Sequence, residues 1–125
     1  MLSVIDNTMA PKVAGASGGA QQNAPSIAAV AGKLNYCTGF DISGGGATAA
    51  SIIEAALSGL AGGTINFELN ILAGATGPMN AQGGFSVRFP DPIPASALNT
   101  AITLTVPSFG AGNTNASAVL YGFQK

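Results

Sequence analysis

The sequence predicts an all-β fold: a single antiparallel β-sandwich over residues 28–125, its strand order open between jelly-roll and immunoglobulin-like, preceded by an extended N-terminal arm over residues 1–27. Three observations carry this. Short segments alternate apolar and polar residues with a period of two, the period of a strand with one buried face. Gly-Gly, Asp-Pro and Gly-Asn turns separate them at hairpin spacing rather than at the spacing of βαβ units. The 125 residues are 47% hydrophobic and only 7% charged, with a net charge of −1, which suits a folded chain and not a disordered one.

In chain order, residues 9–26 read MAPKVAGASGGAQQNAPS, rich in small and polar residues with no periodicity, the composition of an arm or linker. Ahead of it stands a small apolar group, Leu2, Val4 and Ile5, the candidate subunit-interface residues. Residues 34–42 place Leu34, Tyr36, Phe40 and Ile42 on one face. Residues 64–71 alternate most cleanly, with Ile65, Phe67, Leu69 and Ile71 inward and Asn66, Glu68 and Asn70 outward. Residues 85–89, 101–106 and 116–123 repeat the rule, Pro90 and Pro107 ending the first two. Residues 47–60, ATAASIIEAALSGL, stay open between two readings: alanine content and the spacing of Ile52, Ile53, Ala56, Leu57 and Leu60 favour a helix, and the strand pattern is poorer.

Composition also bounds the chemistry. The chain has no His and one Cys, so an internal disulfide is excluded and the commonest general base and metal ligand is missing. Cys37, inside a strand and without a His partner, reads as a packed residue rather than a nucleophile. Asp41, Glu54 and Glu68 are lone carboxylates, and no closely spaced run of oxygen ligands exists for calcium. No catalytic set, cofactor site or metal site is predicted. The four basic residues, Lys12, Lys33, Arg88 and Lys125, are scattered singly, which is no footprint for nucleic acid. Neither a membrane span nor a signal peptide is read, so synthesis in the cytoplasm and no membrane partner are expected.

One motif mimics a nucleotide site. Gly44, Gly46 and Ala49 fit G-x-G-x-x-A after a predicted strand, and Glu68 follows at the distance of a ribose-binding acid. Against it, residues 34–42 interleave Asn35, Thr38 and Asp41, whereas strands of a parallel sheet are continuous apolar runs. A glycine-rich turn at residues 44–49 is the expectation and a nucleotide-binding domain the remote alternative.

The blocks TGFDISGGGATAAS (residues 38–51) and PIPASALNTAITLTVPSFGAGNTNASAVLYGF (residues 92–123) resemble a group of small Gly/Ala-rich virion proteins of tailed bacteriophages. The matching motifs are T-G-F-x-hydrophobic at 38–42, G-A-T-A-A at 46–50, P-I-P-A-S-A at 92–97 and G-A-G-N-T at 110–114. The segment that matches residues 47–58 in such proteins is richer in β-branched residues, which supports a strand there, although Ile53-Glu54-Ala55-Ala56 departs from that pattern. The resemblance implies a non-enzymatic capsid decoration or cement subunit on the virion surface, in contact with the major capsid protein or another virion protein. A tail or head-fibre component and a host-surface or glycan-binding module are the alternatives. Scarce charge agrees with a subunit largely covered by neighbours. A homo-oligomer is expected, a trimer ahead of a dimer, with Val4 and Ile5 of the arm packed on a neighbouring copy.

Overall fold

In the computed structural model, which describes residues 10–18, 21–73, 84–113 and 115–125, eight strands pair two by two from the ends of the chain inward. β1 (Ala10–Ser17) pairs with β8 (Asn115–Gln124), β2 (Ser26–Ile27) with β7 (Ile102–Thr105), β3 (Asn35–Gly45) with β6 (Gly84–Pro94), and β4 (Ser51–Ser58) with β5 (Ile65–Ile71), every pair antiparallel. Pairing of β3 with β8 and of β4 with β7 joins them into two sheets, ordered β1-β8-β3-β6 and β2-β7-β4-β5. A long antiparallel ribbon rolled into two facing sheets is a jelly roll, which decides the strand order that the sequence left open. β1 and β2 lie within the stretch whose composition reads as an arm, so residues 10–17 and 26–27 belong to the sandwich.

The inward faces meet over Phe40, Leu57, Ile102, Leu104 and Leu120, all fully buried. Phe40 packs edge-on against Phe67 at 4.9 Å between ring centroids, and Phe85 tilts against both. In β5, β6, β7 and β8 the predicted alternation holds except at Ile65, expected inward but exposed at the start of β5, and β6 runs past Pro90 to Pro94 instead of ending there. Leu69 and Ile71 are buried while Asn66, Glu68 and Asn70 are exposed, and Ala116, Ala118 and Leu120 are buried on β8.

Two elements need correction or decision. In β3 the register against both neighbours shifts between Cys37 and Gly39, a β-bulge at Thr38. The extra residue reverses the face, so Asn35 and Cys37 point inward before it and Phe40 and Ile42 after it. Tyr36, expected on the inner face, therefore lies outside, stacked on Phe123 at 4.6 Å. Gly39 is required there because a Cβ would strike the Val87 carbonyl oxygen and lie 2.9 Å from Arg88 Cδ. Residues 51–58 form a strand and not a helix. β4 is held along its length by β5 and at residues 56–58 by β7, and those ladders outweigh alanine's helix propensity. Ala55 and Leu57 are fully buried while Ile52 is 68% exposed.

One end of the sandwich is tied by a buried amide. Asn35 donates through Nδ2 to the carbonyls of Ile27, Ala28 and Thr100 and accepts from Gln124 Nε2 at 2.8 Å. Backbone bonds exchanged between Leu34 and Lys125 close the same end. Alternation in the sequence marks Asn35 only as a polar interruption, whereas its hydrogen bonds satisfy the main-chain carbonyls of Ile27, Ala28 and Thr100.

Candidate functional site

The most built group of polar side chains stands on the outer face of the β1-β8-β3-β6 sheet. Asp41 on β3 is opposite Ser86 on β6 and Val119 on β8, while Gly39 is opposite Arg88 and Tyr121. This register brings three side chains to one carboxylate. Arg88 Nη1 and Nη2 donate to Asp41 Oδ1 and Oδ2 at 3.0 and 3.1 Å, a bidentate pair. Tyr121 Oη donates to Oδ2 at 2.8 Å, and Ser86 Oγ donates to Oδ1. The guanidinium carbon lies 4.6 Å from the Tyr121 ring centroid, and Arg88 also donates to the Phe40 carbonyl.

The electrostatics follow from these bonds. Donation by Arg88, then by Ser86, holds the Asp41 carboxyl down to about 2. The hydrogen bond to Asp41 raises both the Arg88 guanidinium and the Tyr121 phenol, because losing either proton would leave the carboxylate unpaired. The constellation is thus locked in its charged form at neutral pH. It can present a flat, charge-paired and aromatic surface, with the Tyr36–Phe123 stack beside it on the same face.

The other residues singled out from sequence are distributed differently. Leu2, Val4 and Ile5 lie outside the described residues. Glu54 and Glu68 face each other directly across β4 and β5 on the opposite sheet, away from Asp41. Cys37 is fully buried, its Sγ donating to the Gly39 carbonyl at 3.8 Å, and burial pushes the thiol up. Among the described residues no three His, Cys, Asp or Glu side chains gather where a metal ion could be held.

Residues 44–49 run from the end of β3 into β4, so the G-x-G-x-x-A glycines have no helix N-terminus with which to hold a pyrophosphate. They meet the turn at residues 110–113 instead. Thr48 N and Oγ1 both donate to the Ala111 carbonyl at 2.9 and 3.2 Å, and Asn113 Nδ2 donates to the Gly45 carbonyl. Gly112, at φ +81°, has no room for a Cβ, which would sit 2.5 Å from Thr48 Cγ2. Residues 92–97 likewise bridge the sheets: Ala95 N donates to Asn35 O, Ala61 N to Pro94 O and Ser96 N to Gly59 O. Of the motifs that carry the phage resemblance, the one at 38–42 lies within β3 and the other three fall at corners of the sandwich.

A cleft of about 240 Å³ opens between the sheets beside β5, lined by Ile42, Leu69, Ile71, Phe85, Phe109 and the Glu68 side of the strand. It is small beside the roughly 300–1,000 Å³ of most small-molecule sites. Compared with protein-family models, with curated proteins and with solved structures, the chain finds no match.

Proposed function

We propose that the protein is a non-enzymatic structural subunit of a tailed-phage particle, a capsid decoration or cement protein that works as a homo-oligomer, a trimer ahead of a dimer, on the virion surface. The observation that carries the reading is the surface. Nine charged residues serve the whole chain, and two of them, Arg88 and Asp41, neutralise each other. Large apolar side chains stand in water instead: Val13 is 70% exposed, Ile52 68% and Leu98 59%. Such a surface invites association when it is free and suits burial among neighbours. The jelly-roll order is shared by viral capsid domains, lectins and cupins, so it admits the reading without choosing it. The sequence blocks supply the choice.

Mass spectrometry of purified particles of the encoding phage, with a copy-number measurement, tests it. Hundreds of copies per particle are expected of a capsid subunit. A handful would move the protein to the tail or a head fibre, and absence from particles would remove the proposal.

A second reading, a host-surface or glycan-binding module, is favoured by the outer-face platform of Tyr36, Phe123, Tyr121 and Arg88. Aromatic faces beside charged hydrogen-bonding groups stack on sugar rings. Binding to a glycan array that is lost in Tyr36→Ala and Phe123→Ala would support that reading over the first.

A further inference from the structure

A two-sheet sandwich has four edges, and three of these are guarded. β1 carries Pro11 and Lys12, β6 carries Arg88 with Pro90, Pro92 and Pro94, and β2 is only two residues long. Proline, charged side chains (lysine above all) and shortness are the devices that stop an edge from pairing with another chain. β5 is the least guarded of the four, with Glu68 as its one charge. It is seven residues, INFELNI, without proline or a basic residue, and among the described residues only β4 pairs with it. Behind the edge that no described strand covers lies the 240 Å³ cleft, with Leu69, Ile71, Phe85 and Phe109 on its walls. In front, exposed Ile52 and Leu72 line a groove on the outer face.

We infer that this edge of β5 accepts residues 2–6 of a second copy of this chain as an added strand. Leu2-Ser3-Val4-Ile5-Asp6 has apolar side chains for both faces of such a strand: alternation puts Leu2 and Val4 toward the cleft and Ile5 toward Ile52 and Leu72. The backbone hydrogen bonds come from the open ladder, and the side chains fill space that the sandwich leaves unfilled. The donor must be another copy. From Asp6 to Ala10 an extended chain reaches about 13 Å. β1 lies at the opposite end of the other sheet from β5, roughly 14 Å sideways over three strand spacings and a further ~10 Å across the sandwich. The arm of one copy on the edge of the next is a heterologous contact, the kind that forms a ring such as the proposed trimer when its rotation closes.

The inference rests on the self-association proposed above but not on the virion setting, so the two fail separately: particle binding is read on virions, strand donation on the pure protein. The full-length chain and its Val4→Asp variant are compared by sedimentation over a range of concentrations. Association of the wild type is expected, weakened about tenfold or more in the variant, the scale of one buried aliphatic side chain. A synthetic peptide of residues 1–9 is then added to the Val4→Asp protein while amide hydrogen exchange is followed. Exchange across Ile65–Ile71 should slow by at least about tenfold, with β1 and β6 unchanged, and a peptide carrying the same substitution should do nothing. The inference is overturned if the wild type stays monomeric, if Val4→Asp associates as well as wild type, or if the peptide protects β1 or β6 and leaves β5 exchanging freely.

Discussion

Asp41 is the residue on which the outer face turns, and its titration gives the protein a pH dependence of definite sign. Its carboxyl falls from the ordinary 3.8 to about 2 because Arg88 and Ser86 bond to the charged form. The folded protein then holds the proton less tightly than the unfolded chain, so the group contributes stability that is fully present above about pH 4. That stability is lost as the pH falls through about 2. The pair is well exposed, 55% at Arg88 and 35% at Asp41, so water and salt screen much of the effect. Urea midpoints should drop between pH 5 and pH 2 in the wild type, and this part of the drop should be missing in Asp41→Asn; a variant with an unchanged pH profile would show that the constellation adds nothing to stability. None of this was legible in the sequence. Asp41 stands 47 residues from Arg88 and 80 from Tyr121, and only the register of β3 against β6 and β8 makes them neighbours. Asn35 was hidden for the same reason, since its partners come from the end of β2, from the segment before β7 and from the end of the chain.

At the scale of elements, the strands that could be read were those in which a buried face contrasts with a wet one. In β5 and β7 apolar side chains alternate with Asn, Glu or Thr at each step, and burial follows except at Ile65, exposed at the start of β5. β1 gave no such signal, because APKVAGAS buries little and is held by its backbone ladder to β8. β4 was ambiguous because alanine is compatible with both faces of a strand and with a helix, and tertiary pairing decides. The bulge at Thr38 inverted half of β3, a displacement that alternation cannot reveal before the partner strands are known. β4 and β5 also contain a local conflict, with Glu54 directly opposite Glu68 and both exposed. Like charges in that position repel, and an opposite-charge pair contributes about 0.2–1 kcal/mol. Glu68→Lys should therefore raise the urea midpoint at low salt, with the gain shrinking at high salt. An unchanged midpoint at low salt would mean that the two side chains splay apart.

The whole molecule can be understood through the way it manages its edges. β8 is the ten-residue strand NASAVLYGFQ, which contains no charge and no proline, and it reaches the interior of its sheet only because β1 covers it. The cover itself carries Pro11 and Lys12, so the β1-β8-β3-β6 sheet ends in a strand that resists further pairing. β1 contributes little apolar burial: Val13 is 70% exposed and Ala14 alone packs on the core. Its removal should then cost little in folding and much in solubility. Two truncations separate these effects. A chain starting at residue 10 keeps β1, and a chain starting at residue 18 loses it while keeping β2. Both should give the same β-rich circular dichroism spectrum, the second with a stability lower by about 1–3 kcal/mol, the order of a few net backbone hydrogen bonds. Light scattering at rising concentration should show the first staying dispersed and the second assembling, because the bare edge of β8 offers Val119, Tyr121 and the backbone of an uncharged strand to any other chain. If the shorter chain is as soluble as the longer one, β1 is no guard, and the contrast between protected edges and the open edge of β5 loses its meaning.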